Sequence, residues 1–207
     1  KSNRFNSTDY WETRYKSGGN SGSGSYNDLA EFKAGVLNNA VIEYKLNSII
    51  EFGCGDGNQL SLYKIPRYIG MDVSQSVLQR CIKIFEHDDS KSFFLYSSKC
   101  FSDKARIFKS DAAISIDVLF HLVEQDVYEA YLAHLFGCAE KLVIIYAADM
   151  EFPPKNSHEL YRKFTSYIAG RFPEWKLDQH IKNKYPSKKY EDEEGSLADF
   201  YFYSKKI

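Results

Sequence analysis

Apolar and polar positions form blocks along the chain that predict strands and helices in alternation. Short apolar runs predict seven strands, at 47–50, 67–72, 92–96, 111–119, 142–146, 175–181 and 198–203. Apolar residues at helical spacing predict helices at 29–44, 75–85, 125–136 and 158–169. Asp28 and Ser74 stand where the first two helices need N-caps. A charged connection without a strong helix joins the last two strands, so the pattern predicts an α/β fold whose mostly parallel sheet ends in an antiparallel C-terminal hairpin.

Residues 1–28 differ in composition from the rest of the chain. Glycine and serine dominate 17–25, which predicts a flexible loop. Tyr10, Trp11 and Tyr15 stand just before this loop, and a mere tail does not need so many aromatic rings. An N-terminal helix packed on the sheet edge would account for them. We therefore separate an N-terminal segment, 1–28, from a main domain, 29–207.

A glycine-rich turn, Glu51-Phe52-Gly53-Cys54-Gly55-Asp56-Gly57, follows the first predicted strand and leads into what reads as the first turns of a helix at 58–63. Glycines let a ligand approach the backbone because they carry no Cβ. The N-terminus of a helix offers unpaired N–H groups to a polar or anionic ligand. A nucleotide-like cofactor is expected here. The dinucleotide pattern G-x-G-x-x-G would need its third glycine at position 58, where Asn58 stands.

Asp72 closes the second predicted strand, about twenty residues after the glycine turn. At this distance an acid reaches the two hydroxyls of an unphosphorylated ribose, which serves a nicotinamide or an S-adenosyl cofactor equally well. The fourth predicted strand leads into Ser115-Ile116-Asp117-Val118-Leu119-Phe120-His121-Leu122. Ligands of open α/β sheets bind beside the carboxyl ends of such strands.

His121 is the candidate catalytic residue. A neutral imidazole can accept the proton of a substrate hydroxyl group near pH 7. In the alternative interpretation, His121 orders the loop after the fourth strand through a hydrogen bond to the backbone. His121 and Glu124 are spaced as a metal-binding pair on a helix, but no third ligand is evident, so no metal is predicted.

The motif E-x-G-x-G-x-G, Asp72 and the segment S-x-D-V-x-x-H-L together resemble class I S-adenosylmethionine-dependent methyltransferases, from about residue 28 to the end. The resemblance implies a Rossmann-like three-layer sandwich with S-adenosylmethionine as cofactor. It implies that an N-terminal W…Y segment folds over the cofactor as a lid, and that Tyr96 or Ser97 lies beside the adenine. The cofactor-binding residues it implies are Trp11, Arg14, Glu51, Gly53, Gly55, Asp56, Asn58, Gln59, Asp72, Val73, Ser115, Asp117 and Phe120.

A narrower resemblance adds an acceptor class. With its segment W-E-T-R-Y-K-S-G-G-N-S-G-S-G-S-Y, the chain is similar to bacterial methyltransferases encoded with surface-polysaccharide enzymes. This implies an O-methyltransferase that acts on the hydroxyl of a small molecule or glycan. Two alternatives stay open. One is a non-catalytic cofactor-binding or docking module of a larger polysaccharide-assembly protein, and the other is a nicotinamide-dependent reductase.

Composition and charge limit the classes of partner that the chain is expected to bind. The formal net charge is −1, so no basic field argues for nucleic acid. The four cysteines lack metal-site spacing and are expected to be buried thiols of a reducing compartment. No transmembrane stretch or signal peptide is evident, so a cytoplasmic location is expected. The chain opens with Lys1, and we expect that it could be one domain of a longer polypeptide, fused to or in complex with glycan-assembly enzymes.

Overall fold

Seven strands form one sheet within residues 5–152, 156–187 and 195–206, the parts of the chain that the computed structural model describes. The strands are β1 Ile49–Phe52, β2 Tyr68–Asp72, β3 Lys91–Leu95, β4 Ser110–Ile116, β5 Ala139–Ala147, β6 Trp175–Ile181 and β7 Asp199–Lys205. The helices are α1 Ser7–Lys16, α2 Asn27–Glu43, α3 Gln75–Ile84, α4 Gln125–Cys138 and α5 Phe164–Arg171. None of these helices is long and apolar enough to cross a membrane.

The strand order is β3-β2-β1-β4-β5-β7-β6. Strands β1 to β5 pair in parallel, and β7 pairs antiparallel with both β5 and β6. The predicted mostly parallel seven-stranded sheet with an antiparallel C-terminal hairpin is therefore confirmed. Because the chain turns to opposite sides of β1 to place β2 and β4, the order reverses between β1 and β4, and their carboxyl ends frame a crevice.

Two apolar cores cover the two faces of the sheet. Leu37 of α2 and Val77 of α3 belong to one core, while Leu132 of α4 and Ile168 of α5 belong to the other. All four residues of β1 are buried, as is expected for a central strand with helices on both sides. The result is a three-layer α/β/α sandwich.

The ends of several elements differ from the predicted ones. Ser74 caps α3 as predicted, since its hydroxyl accepts a hydrogen bond from Val77 N at 3.1 Å. Asp28 does not cap α2, because the extended residue Tyr26 precedes a helix that begins at Asn27. Strand β4 ends at Ile116 rather than at position 119.

Two predicted helices are shorter because long-range contacts override local propensity. The predicted turns at 58–63 are a single 3₁₀ turn, Leu60–Leu62, so no α-helix follows the glycine turn. The helix predicted from position 158 begins only at Phe164. Arg162 instead donates hydrogen bonds to the carbonyl oxygens of Leu122 and Val123, at 2.7 and 3.0 Å.

The four cysteines are free thiols. Three are buried as expected, but Cys100 is exposed, because it lies in the loop after β3 rather than in a core-facing element.

Candidate functional site

A cavity of about 470 Å³ lies at the carboxyl ends of β1, β2 and β4. This volume is in the range of small-molecule sites. Its floor includes the glycine turn, and its wall includes Tyr96 and Ser97 after β3, so both residues that were candidates for the adenine side line it. The position is the one that the reversal of strand order predicts for a ligand.

The glycine turn is shaped by the protein's own side chains. Gly53 has φ +82° and Gly55 has φ +60°, conformations that favour glycine. A Cβ on Gly53 would lie 2.5 Å from a methyl of Val118, and one on Gly55 would lie 2.4 Å from Ser21 Oγ. The N–H of Gly55 donates to Asp72 Oδ2 at 3.0 Å, and that of Asp56 donates to Ser21 Oγ at 3.0 Å. The turn therefore uses its donors internally and does not form the helix N-terminal anion site that the sequence predicted.

Asp72 lies at the end of β2 and lines the cavity. Its two oxygens accept hydrogen bonds from Gly55 N and Ser74 N, at 3.0 and 2.9 Å. Burial raises the pKa of Asp72 to about 6, although these backbone donors favour the ionised form. The carboxylate is thus held in place but poorly solvated.

Glu51 lies one strand away, on β1. Its Oε2 accepts a hydrogen bond from the hydroxyl of Tyr68 at 2.6 Å. Burial raises the pKa of Glu51 to about 7, against the opposing effects of Tyr68 and the Lys33 cation. A positive ligand charge would offset the desolvation of both Glu51 and Asp72.

Acidic side chains dominate the charge of the cavity. Among the described residues, seven carboxylates and one lysine line it: Asp9, Glu51, Asp56, Asp72, Asp117, Glu124, Asp126 and Lys99. Such a lining attracts a cationic ligand and repels a pyrophosphate.

The N-terminal segment forms the roof of the cavity. Glu12 of α1 accepts hydrogen bonds from the hydroxyls of Ser74 and Ser76, at 2.7 and 2.6 Å, which ties α1 to the start of α3. At the other end, Ser7 N donates to Glu124 Oε1 at 2.9 Å. Helix α1 therefore spans the opening between α3 and α4 rather than packing on an outer strand of the sheet. Whether it opens as a lid stays a prediction.

Lys33, which the sequence analysis missed, lies behind the cavity wall and pairs with the cavity residue Asp117. It is fully buried on α2, and its Nζ lies 2.6 Å from Asp117 Oδ2. Asp117 follows β4 with φ +58°, an uncommon conformation for a residue other than glycine. The only sequence signal was a lysine on the buried stripe of α2, where its neighbours Ala30 and Leu37 are apolar.

His121 lies in a 3₁₀ turn after β4 and lines the cavity. Its Nδ1 lies 3.2 Å from the carbonyl oxygen of His158. Because a carbonyl can only accept, Nδ1 carries the proton and Nε2 keeps its lone pair. Burial lowers the pKa of His121 to about 4, so the ring is neutral near pH 7. The backbone hydrogen bond expected in the alternative interpretation is present, but it reaches the segment before α5.

The structure brings most of the predicted site residues together. Ten line the cavity: Trp11, Glu51, Gly53, Gly55, Asp56, Gln59, Asp72, Val73, Asp117 and His121. Four do not: Arg14, Asn58, Ser115 and Phe120.

Local packing explains these four exceptions. The buried Ser115 Oγ lies 2.7 Å from the hydroxyl of Tyr131, and Asn58 Nδ2 donates to the carbonyl oxygen of Ser25 at 2.7 Å. Both polar groups are used inside the protein. Arg14 and Phe120 instead line a neighbouring cavity.

Two buried polar atoms test whether an S-adenosyl cofactor fits the cavity. Gln59 Oε1 and Glu124 Oε2 have no hydrogen-bond partner among the described residues, and both residues line the cavity. Each is an acceptor, which suits a ligand that carries an ammonium and an exocyclic amine. The residues present therefore fit such a cofactor.

The sequence matches no family model and no curated protein. Solved structures do match. The methyltransferase domain of bacterial CtHen1-C is 24% identical over 87% of this chain and 100% of that chain, with a TM-score of 0.66. The N-methyltransferase NodS from Bradyrhizobium japonicum WM9, in complex with S-adenosyl-l-homocysteine, is 13% identical over 98% of this chain and 100% of that chain, with a TM-score of 0.70.

Magnesium protoporphyrin IX methyltransferase (ChlM) from Synechocystis PCC 6803, with bound SAM, is 13% identical over 100% of both chains, with a TM-score of 0.67. Only the name of ChlM states an acceptor, and only that of NodS states the type of atom that is methylated, so the likeness to these proteins does not identify an acceptor for this chain. The chain therefore has the Rossmann-like fold that these methyltransferases share.

Proposed function

We propose that this chain is an S-adenosylmethionine-dependent methyltransferase that transfers a methyl group to a hydroxyl of a small molecule or glycan. The observation that carries the proposal is the acidic cavity at the switch point of the sheet, with seven carboxylates and one lysine among its described lining residues. S-adenosylmethionine carries a net positive charge, whereas a nicotinamide dinucleotide carries two negative phosphates. The lining favours the former and argues against a nicotinamide-dependent reductase.

Each end of the cofactor has candidate partners in the cavity. Asp72 would accept hydrogen bonds from the ribose hydroxyls, as an acid at the end of the second strand does in related nucleotide sites. Glu51 and Gln59 Oε1 would accept from the ammonium group of the methionine part. Tyr96 and Ser97 line the opposite wall, where the adenine would lie.

When bound, S-adenosylmethionine would supply the methyl group, with its bond to the sulfonium sulfur breaking as the bond to the acceptor oxygen forms. The chain's own residues position the reactants and exclude water. His121 Nε2 accepts the hydroxyl proton, because Nδ1 is committed to the His158 carbonyl oxygen. A glycan acceptor, such as a sugar of a bacterial surface polysaccharide, is favoured by the resemblance of the N-terminal segment to methyltransferases encoded with surface-polysaccharide enzymes.

Calorimetry with S-adenosylmethionine, S-adenosylhomocysteine and NADH tests the proposal. We expect micromolar binding of both S-adenosyl ligands and none of NADH. No binding of either S-adenosyl ligand would end the proposal. Tight cofactor binding without turnover of any acceptor, and with no effect of His121→Ala, would instead favour the non-catalytic module.

A further inference from the structure

A second cavity of about 330 Å³ adjoins the cofactor cavity. The two cavities share four lining residues: Trp11, Ser21, Asp117 and His121. These side chains form a common wall, and the candidate base His121 stands in it. An acceptor in the second cavity would therefore contact His121 where the two cavities meet, next to the cofactor cavity.

Aromatic rings with fixed planes line the second cavity. Phe120 stacks on Tyr161, with ring centroids 5.4 Å apart and an interplanar angle of 6°. Tyr10 stacks on His158, with centroids 4.7 Å apart and an angle of 12°. Because each ring is held by its partner, the faces are preorganised to receive a flat or gently puckered ring.

Charged groups lie among these rings. Arg14, Asp117 and Glu159 line the cavity, which gives two carboxylates and one guanidinium among the described lining residues. Lys33 holds Asp117 in place through an ion pair of 2.6 Å. A carboxylate accepts hydrogen bonds from hydroxyl groups, and a guanidinium donates hydrogen bonds to them. Asp117 is paired with Lys33, and the remaining Arg14 and Glu159 leave no net positive charge among the described lining residues, so the cavity lacks the basic field that nucleic acid binding needs.

We propose that the second cavity binds the methyl acceptor, and that this acceptor is a cyclic polyol such as a pyranose. One C–H face of the ring packs on Phe120 and Tyr161, while its hydroxyls bond to Asp117, Glu159 and Arg14. The hydroxyl nearest the shared wall gives its proton to His121 as it accepts the methyl group. This inference rests on the proposed function, which supplies the donor.

Saturation-transfer NMR on the protein loaded with S-adenosylhomocysteine tests the acceptor class without turnover. The probes are methyl glycosides of common hexoses, deoxyhexoses and N-acetylhexosamines, each up to about 50 mM, with catechol and a short single-stranded RNA for comparison. We expect at least one glycoside to bind with a millimolar dissociation constant. No glycoside binding, or binding of only catechol or RNA, would overturn the inference.

Two matched variants locate the site. Tyr161→Leu removes a ring that lines the second cavity but not the cofactor cavity, and Tyr167→Leu removes the same ring type on α5, which lines neither of the two. Tyr161→Leu should weaken glycoside binding about tenfold, whereas Tyr167→Leu should not. Equal effects of the two variants would contradict the assignment.

Affinity for S-adenosylhomocysteine distinguishes a failure of the proposed acceptor site from a failure of the proposed function. It should stay within about twofold in Tyr161→Leu, because this residue does not line the cofactor cavity. If the unmodified protein does not bind S-adenosylhomocysteine, the proposed function is refuted. Retained cofactor binding with no glycoside binding would refute only the acceptor site.

Discussion

Ser21 and Asp56 bind each other through two hydrogen bonds that run in opposite directions. Ser21 N donates to Asp56 Oδ2 at 2.8 Å, and Asp56 N donates to Ser21 Oγ at 3.0 Å. The hydroxyl of Tyr26 donates to the same carboxylate oxygen at 2.9 Å. The pair fastens the N-terminal segment to the glycine turn, so the roof and floor of the cavity are joined at this point.

Replacing Asp56 by Ala should loosen this junction. We expect the free energy of unfolding to fall by about 1–3 kcal/mol, because donors from Ser21 and Tyr26 lose a charged acceptor. Cofactor affinity should fall as well, since both walls of the site shift. Urea unfolding and calorimetry measure the two effects. Asp28→Ala, at an exposed acid on α2, is the control, and an equal loss in both variants would contradict the role of Asp56.

Asp72 should make the protein prefer a cofactor with ribose over one with 2′-deoxyribose. We expect Asp72→Asn to weaken S-adenosylhomocysteine binding by about 1–3 kcal/mol, because a neutral amide is a weaker acceptor for the ribose hydroxyls. The ligand's 2′-deoxyribose analogue is the matched probe. The unmodified protein should prefer the ribose form, and the variant should lose most of this preference. An unchanged preference would remove Asp72 from the ribose site.

Cofactor affinity should rise with pH in the weakly acidic range. Burial raises the pKa of Glu51 to about 7 and that of Asp72 to about 6, so both carboxyls lose protons as pH rises from 5 towards 7.5. A cationic ligand binds the ionised forms, and each group contributes up to about tenfold in affinity per pH unit below its pKa. Calorimetry of S-adenosylmethionine across this range measures the slope, and Glu51→Gln should flatten it near pH 7.

Without ligand, Glu51 and Asp72 should make the folding stability fall as pH rises. Their folded-state pKa values lie above the ordinary values, so their contribution to stability is full at low pH and is lost as pH rises through about 6 to 7. Saturating S-adenosylmethionine should restore this loss. The ligand-induced rise in melting temperature should therefore be larger near neutral pH than near pH 5, and the opposite order would contradict a cationic ligand at these carboxylates.

His121→Gln should lower kcat/KM for a hydroxyl acceptor by about 10²–10⁴-fold if Nε2 accepts the proton. Since burial lowers the pKa of His121 to about 4, the rate with saturating cofactor should lack a histidine inflection near pH 6.5. His87→Gln is the control, because the His87 ring is exposed. Full activity of His121→Gln on a hydroxyl acceptor would exclude the base role.

The pair of the fully buried Lys33 with the partly exposed Asp117 should be strongly coupled. Asp117→Asn leaves the buried Lys33 cation without its counter-ion and should cost about 3–5 kcal/mol of folding stability. The double variant with Lys33→Met should lose less than the sum of the single variants. The exposed pair Arg106–Glu140, at 3.2 Å, is the matched control and should couple by less than about 1 kcal/mol. Additive losses at Lys33 and Asp117 would contradict the coupling.

The succession of strands and turns along the chain could be predicted from the sequence, because each element depends on residues that are neighbours in the chain. The run Ile49–Ile50 is apolar on every residue, as a central strand requires, and Glu51 and Asp72 stand at the ends of adjacent strands. The helix expected after the glycine turn was wrong. Its residues are held instead by distant groups, such as the Ala30 carbonyl oxygen that accepts from Gln59 Nε2 at 2.8 Å.

The sequence by itself determined the fold class, the position of the ligand crevice and the acids beneath it, since hydrophobic periodicity and strand-end residues are local properties. Only the tertiary structure decided what closes the crevice. Lys33 meets Asp117 across 84 positions of sequence, and Ser21 meets Asp56 across 35. No local pattern encodes such pairs, because burial of the whole sheet and its helices is what brings these polar groups out of water and into contact.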